Sequence, residues 1–221
     1  MRWVACAALL LVAGALTSCR FIATADVPAL ANADAGHGAA PFDPDKSVAS
    51  IWGPEVIPYF EKKAGPFPQV RELAAKSPDE AGAKFGYRAK SEGTPWTLMV
   101  KIDGIVVAAN TESRAATIDV DVSGQGTADA VVQIGPAIRG TAIRDALDFV
   151  SFNDFTNQID FAQFGKAFNT HVYHETLEKL PRESLIGRKV SVLGAYPLIS
   201  TADKPLVTPV EITIGDRRAH V

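Results

Sequence analysis

Cysteine is nearly missing from this chain: Cys6 and Cys19 are the only two among 221 residues. Everything after Cys19 can form no disulfide and offers no thiol nucleophile. Other chemistry is missing too. There is no Gly-x-Ser-x-Gly elbow, no His-Glu-x-x-His zinc motif and no Gly-x-Gly-x-x-Gly nucleotide loop, so the motif-bearing hydrolases, metalloproteases and dinucleotide enzymes have no support and no cofactor is indicated. Charge of one sign is also lacking. With 22 basic against 25 acidic residues and a net charge of −3, the chain has no basic footprint for nucleic acid or anionic headgroups. A membrane-spanning run is absent as well, since about 20 apolar residues are needed to cross the hydrocarbon layer and the longest uncharged apolar stretch, residues 3–16, is shorter.

That short run has a purpose of its own. Arg2 precedes it, Thr17-Ser18-Cys19 ends it and Arg20 follows. This is the layout of a secretion signal, and Leu16-Thr17-Ser18-Cys19 looks like a bacterial lipobox, in which the Cys is acylated and becomes the new N-terminus. Residues 1–18 then read as a lipoprotein signal peptide and Cys19 as the lipidation site, with the lipid as the link to the membrane. Several acyl chains on one residue give durable anchoring where one chain is marginal. In a Gram-negative cell, Arg20 in place of Asp after the Cys leans toward the outer membrane. Cys6 leaves with the signal and Cys19 becomes a thioether, so stability must rest on packing, which a chain of this length supplies unaided.

Residues 20–40 are Ala-rich, contain Gly36 and Gly38, lack periodicity, and read as a tether. The stretch to Tyr87 reads as short helices. Trp52, Val56, Tyr59 and Phe60 recur at helical spacing despite Pro54 and Pro58, and residues 68–75 suit another helix. Ser77-Pro78-Asp79-Glu80 is a capping box with proline at the first helical position, and Gly86 offers a left-handed stop.

From Trp96 the pattern becomes β. Residues 96–110 are rich in Val, Ile and Leu and are broken at Asp103-Gly104, a hairpin signal. Residues 116–122 alternate, placing Ile118, Val120 and Val122 on one face and Thr117, Asp119 and Asp121 on a wet one. Residues 130–134 follow the Gly124-Gln125-Gly126 turn. Residues 189–196 and 206–214 form a second β region, separated by a polar turn at 200–204. The two β regions, each opening on a glycine beside a Val-rich strand, hint at two barrel-like subdomains at about 94–150 and 185–216.

Between them lie the candidate ligand-binding residues. A strand ends at Gly135-Pro136, and Thr141 can cap a helix of about two turns carrying Ile143 and Leu147, with Arg139 and Arg144 near its free N–H groups. Such a start suits an anion. The same arginines would alternatively pair with Asp145, Asp148 or Asp154 and pin the connection. Phe149, Phe152 and Phe155 next to Asn153, Asp154, Asn157 and Gln158 form the mixture of rings, amides and carboxylate that holds a sugar. A polar turn needs the same groups, with Thr156 capping the next helix. That helix, residues 157–180, carries Phe161, Phe164, Phe168 and Val172 on one arc and Ile159, Ala162, Tyr173, Leu177 and Leu180 on an adjoining one. His171, His174, Glu175 and Glu178 fall on the remaining side. Their spacing would fit zinc, but a solvated face accounts for them, and no metal site is assigned.

The run from Gln133-Ile134-Gly135-Pro136 to Asp145-Ala146-Leu147, continued by Phe152-Asn153-Asp154-Phe155-Thr156-Asn157-Gln158, resembles the central block of a DUF family of predicted bacterial periplasmic lipoproteins. The likeness extends over residues 52–81, 110–114 and 187–196. It implies an OB-like, two-part β-rich architecture and a gene often placed beside ribose-type sugar ABC transporters. It implies no activity, so no catalytic residue is carried over. The expected fold is α+β: N-terminal helices, a β-rich body of small antiparallel OB-like barrel units, and one long crossing helix, in a single domain over residues 41–221. The expected function is a non-enzymatic, membrane-tethered accessory or ligand-binding protein on the periplasmic side. Its expected partners are a sugar ABC transporter or its binding protein and a small carbohydrate-like ligand. The alternatives are a protein-docking or structural envelope lipoprotein with no small-molecule ligand, and a metal-dependent hydrolase using His171 and His174.

Overall fold

The computed structural model describes residues 42–90 and 93–217. The signal peptide, Cys19 and the tether lie outside the described residues. Helix α1 (Pro44–Ile51) starts where the Asp43 carboxylate accepts the Lys46 N–H at 3.1 Å and Pro44 takes the first position. It runs through a π turn, Trp52–Val56, into α2 (Ile57–Lys63). Pro54 and Pro58 have no N–H to donate to the preceding turn. The backbone widens instead, with the Ile57 N–H reaching the Trp52 carbonyl five residues back, and Val56 and Phe60 remain fully buried.

After the two-residue strand β1 (Gly65–Pro66) come α3 (Phe67–Lys76) and α4 (Pro78–Phe85), then β2 (Gly86–Tyr87). Pro78 opens α4 as expected, but the Ser77 side chain makes no cap bond; its backbone N–H instead closes α3 on Leu73 at 2.7 Å. Gly86 is extended, with φ −146°, not left-handed. Glycine is required there because a Cβ would lie 2.6 Å from the Thr97 carbonyl oxygen, the approach that lets β2 pair with the next strand.

The remaining strands are β3 (Thr97–Asn110), β4 (Thr117–Asp121), β5 (Ala130–Gln133), β6 (Arg188–Pro197) and β7 (Leu206–Arg217). They close on themselves in the order β3-β4-β5-β7-β6 and back to β3. All pairs in this ring are antiparallel except β5 with β7. Closure removes the exposed edges an open sheet would leave.

Two sequence expectations change here. Asp103-Gly104 is not a hairpin: β3 runs straight through it, pairing with β6 over Thr97 to Ile105 and with β4 over Ile105 to Asn110. Gly104 is the crossover point, where a Cβ would sit 2.5 Å from the Asp121 carbonyl oxygen and 2.6 Å from a Val120 methyl. Nor are the two β regions separate units, because β6 and β7 supply the strands that close the barrel begun by β3 to β5. The shared Gly-Val pattern reflects similar strands in one barrel.

On β3, Leu98, Met99 and Val100 are all buried without alternation. One face of that stretch looks into the barrel, and β1, β2 and the helices beside them cover the rest. Ile102 and Val106, Ile118 and Val120, and Val190 and Val192 fill the barrel at the spacing expected for half-buried strands. Asp121 departs from its expected wet position. It is buried and accepts from the Gly124 N–H at 2.7 Å, the Gly126 N–H at 2.8 Å and the Ser123 hydroxyl at 3.2 Å, which holds the turn where both glycines take positive φ.

Candidate functional site

The connection from β5 to β6 carries α5 (Ala142–Asp145), a single 3-10 turn at Phe152–Asp154 and α6 (Gln158–Val172), followed by a π turn, Tyr173–Leu177. Gln133 pins its start. This buried amide accepts from the Arg139 N–H at 2.8 Å and donates to the Arg139 carbonyl at 3.1 Å and the Thr208 hydroxyl at 2.9 Å. Arg139 is thereby held by its backbone, while its side chain is exposed.

Helix α5 is one turn, not two, and Thr141 does not cap it. The Thr141 hydroxyl donates to Asp145 Oδ2 at 2.6 Å. Arg144, with a side chain only 11% exposed, donates through Nε and Nη2 to Asp145 Oδ1 at 2.9 and 2.6 Å, and through Nη1 to the Phe161 carbonyl at 3.0 Å. Its guanidinium lies 3.8 Å from the Phe161 ring centroid. Of the two sequence alternatives for Arg144, the geometry realises pairing with Asp145, and this cation is already neutralised.

The 3-10 turn has a complete capping box. The Asp154 carboxylate accepts the Ser151 N–H at 2.7 Å, and the Asn153 N–H reaches the Ser151 hydroxyl at 3.3 Å. Asn157, and not Thr156, caps α6: its Oδ1 accepts from Ile159 and Asp160 at 2.8 and 2.9 Å. Gln158 is exposed on the outer side of that helix. Phe164, Phe168 and Val172 are buried as the periodicity requires, but Ile159 and Ala162 of the adjoining arc are exposed.

Arg144, Asp145, Asn153 and Lys90 come together on one cavity of about 620 Å³, walled by Phe152, Phe161, Tyr87 and Pro95. That volume lies within the usual range for small-molecule sites. Arg139, Thr141, Asp154, Asn157 and Gln158 do not line it. The histidines do not converge either. His171 packs against Trp52 with ring centroids 4.6 Å apart and planes tilted by 53°, where burial lowers its pKa, and His174 Nδ1 meets Glu178 Oε2 at 3.1 Å. Among the described residues no group of three or more His, Cys, Asp and Glu is placed to hold a metal ion.

The family model described as "Predicted periplasmic lipoprotein (DUF2291)" matches residues 8–213. The chain belongs to this family. Membership accounts for the lipobox and places this DUF2291 protein on the periplasmic side, held by lipid. No helix among the described residues is long and apolar enough to cross a membrane. The fold is similar to the crystal structure of an OB-fold protein from Thermotoga maritima, with a TM-score of 0.63, 18% identity, 79% of this chain covered and 99% of that one. At that identity the likeness establishes the OB-type barrel alone. No curated relative matches the chain by sequence.

Sequence reasoning passed over Phe161 as a cavity wall and as the platform for Arg144, reading it only as part of a core arc. It also passed over Tyr87, Lys90 and Pro95. No local signal marks these three, which reach the cavity because β2 brings the segment after it alongside β3.

Proposed function

We propose that the domain is a non-enzymatic, lipid-tethered accessory of a sugar or related solute ABC uptake system, and that it holds a small neutral, polyhydroxylated ligand of carbohydrate type. The carrying observation is the cavity in which the Asn153 amide and the Asp145 carboxylate share a space with the Phe152 and Phe161 rings. Rings cover the C–H faces of a sugar, while amide and carboxylate groups answer its hydroxyls. At the Arg144 end of the cavity a neutral ligand suits better than an anion, because Asp145 already balances the guanidinium. The anchor is proposed to lie in the outer membrane, following Arg20 after Cys19.

Calorimetry with neutral monosaccharides and their phosphates tests this reading. The expected result is binding of a neutral sugar, weakened about tenfold by Asn153→Ala, equivalent to one lost hydrogen bond of about 1.4 kcal/mol. Arg139→Ala, outside the cavity, is expected to leave binding unchanged. Preference for the phosphates, or equal binding by wild type and Asn153→Ala, overturns the reading. No binding by wild type favours the docking role, which a pull-down of a transporter component from native membranes then checks.

A further inference from the structure

Thr97 is among the few polar side chains buried in the described fold, with 3% of its surface exposed. The others, Asp121, Gln133 and Thr208, are hydrogen-bonded. The Thr97 hydroxyl has no hydrogen-bond partner among the described residues. Thr97 lines the cavity of about 620 Å³, so the surface it keeps faces that space.

Its place in the sheet explains the missing partner. Thr97 sits in one register row with Tyr87 of β2 on one side and Pro197 of β6 on the other. Residues opposite one another in antiparallel strands direct their side chains to the same face, and all three line the cavity. A threonine in a sheet often bonds across to a serine or threonine. Neither neighbour allows that, because the proline ring has no polar atom and the Tyr87 hydroxyl stands at the far end of its ring.

Thr97 and Leu147 are the two buried members of the lining, whereas Lys90, Phe152 and Asn153 are exposed and belong to its outer part. The inner part therefore offers one neutral hydroxyl, which can both donate and accept, and Leu147 adds no polar atom. A buried polar group left unmatched costs free energy that a well-placed ligand group recovers.

We infer that Thr97 is a specificity-determining residue of the cavity: its hydroxyl reads a single hydroxyl at the inner end of a neutral monosaccharide and rejects the analogue that lacks it. A site built to pair a hydroxyl discriminates in this way because removing the hydroxyl leaves its own polar group unpaired. The inference rests on the reading of the cavity as a carbohydrate site and adds how that site tells one sugar from another.

Calorimetry on the mature lipidated protein in a sugar-free detergent tests it, with D-ribose, D-xylose, D-glucose, D-galactose and their monodeoxy analogues as probes. For a sugar that binds, Thr97→Val is expected to weaken affinity about tenfold, and Thr97→Ser to restore most of it. One monodeoxy analogue is expected to bind wild type about tenfold more weakly than its parent and to bind Thr97→Val no more weakly than wild type, since the contact is already gone. Equal binding of the parent sugar by wild type and Thr97→Val overturns the inference and leaves the carbohydrate reading standing. So does a Thr97→Val loss that is the same for every deoxy analogue as for the parent. Equal affinity of wild type for all the monodeoxy analogues and their parent overturns it as well, and needs no variant that folds. Absence of binding by wild type to all four sugars removes the carbohydrate reading and this inference together.

Discussion

Arg144 and Asp145, adjacent in sequence, are bound side chain to side chain through two nitrogens of the guanidinium on one carboxylate oxygen, at 2.9 and 2.6 Å. The pair ties α5 to α6, because the same guanidinium reaches the Phe161 carbonyl and lies over its ring. Arg144→Ala is expected to cost about 2 kcal/mol, combining charge-assisted hydrogen bonds and ring contact, discounted because the Asp145 side chain is 40% exposed. Arg144→Lys restores little of it, since an ammonium cannot hold several planar contacts at once. Urea denaturation of the three proteins checks both statements.

Gly104 carries the crossing of β3 from one neighbour to the other. A methyl group there meets backbone at the Asp121 carbonyl as well as a Val120 side chain, and backbone in a closed barrel has little room to yield. Gly104→Ala is expected to destabilise by about 2 kcal/mol, within the range for overpacked sites, lowering Tm by about 6 °C for a domain of this size. Gly93→Ala is the contrasting glycine change: a Cβ there meets nothing, although φ is +77°. Its cost is therefore backbone strain alone, and it is expected to be the smaller of the two by calorimetry.

The same residue marks where the sequence was legible and where it was not. Alternation at Ile118 and Val120, or the helical spacing of Phe164, Phe168 and Val172, is set by neighbours within a few positions, and those elements were readable. Gly104 in a coiled strand and Gly104 in a tight turn follow the same Asp and look alike until Asp121, 17 positions later, is placed against it. The candidate site divides the same way. Pairing of Arg144 with the adjacent Asp145 was among the readable alternatives, whereas its seat on Phe161 depends on how α6 crosses. Asn153 was readable as a polar group beside rings, but its place on a cavity depends on the segment after β2, which lies far away in the chain.

Asn157 and Thr156 are consecutive residues of similar capping aptitude, and the geometry chooses Asn157. Its carboxamide oxygen serves the N–H groups of both Ile159 and Asp160, and its nitrogen donates to Asp160 Oδ2 at 3.0 Å. Asn157→Ala is expected to cost about 1 kcal/mol. Thr156→Ala should stay within about 0.5 kcal/mol, as is usual for exposed surface changes. Equal losses in denaturation midpoints for the two variants would count against this assignment of the cap.

Cys19 is the proposed point of attachment to the membrane. Cys19→Ser removes the acylation site, and the expected outcome is protein that no longer incorporates labelled palmitate and no longer partitions into the detergent phase in a Triton X-114 extraction. Retention in that phase would mean that something other than the lipid holds it.

Asp121 ties the pH response of the barrel to one loop. The Gly126 N–H leads the hydrogen bonds that hold its carboxyl below the usual aspartate pKa, followed by Gly124 and Ser123. A carboxylate favoured in the folded state lends stability that is fully present above its unfolded pKa of about 3.9 and is lost as pH falls through the lower folded value. Asp121→Asn should therefore be less stable than wild type at neutral pH, with the gap narrowing below about pH 4 as the wild-type carboxylate gains its proton. Denaturation midpoints of both proteins from pH 7 to pH 3 measure this. A gap that stays constant across the range would mean that the loop depends on the shape of the side chain and not on its charge.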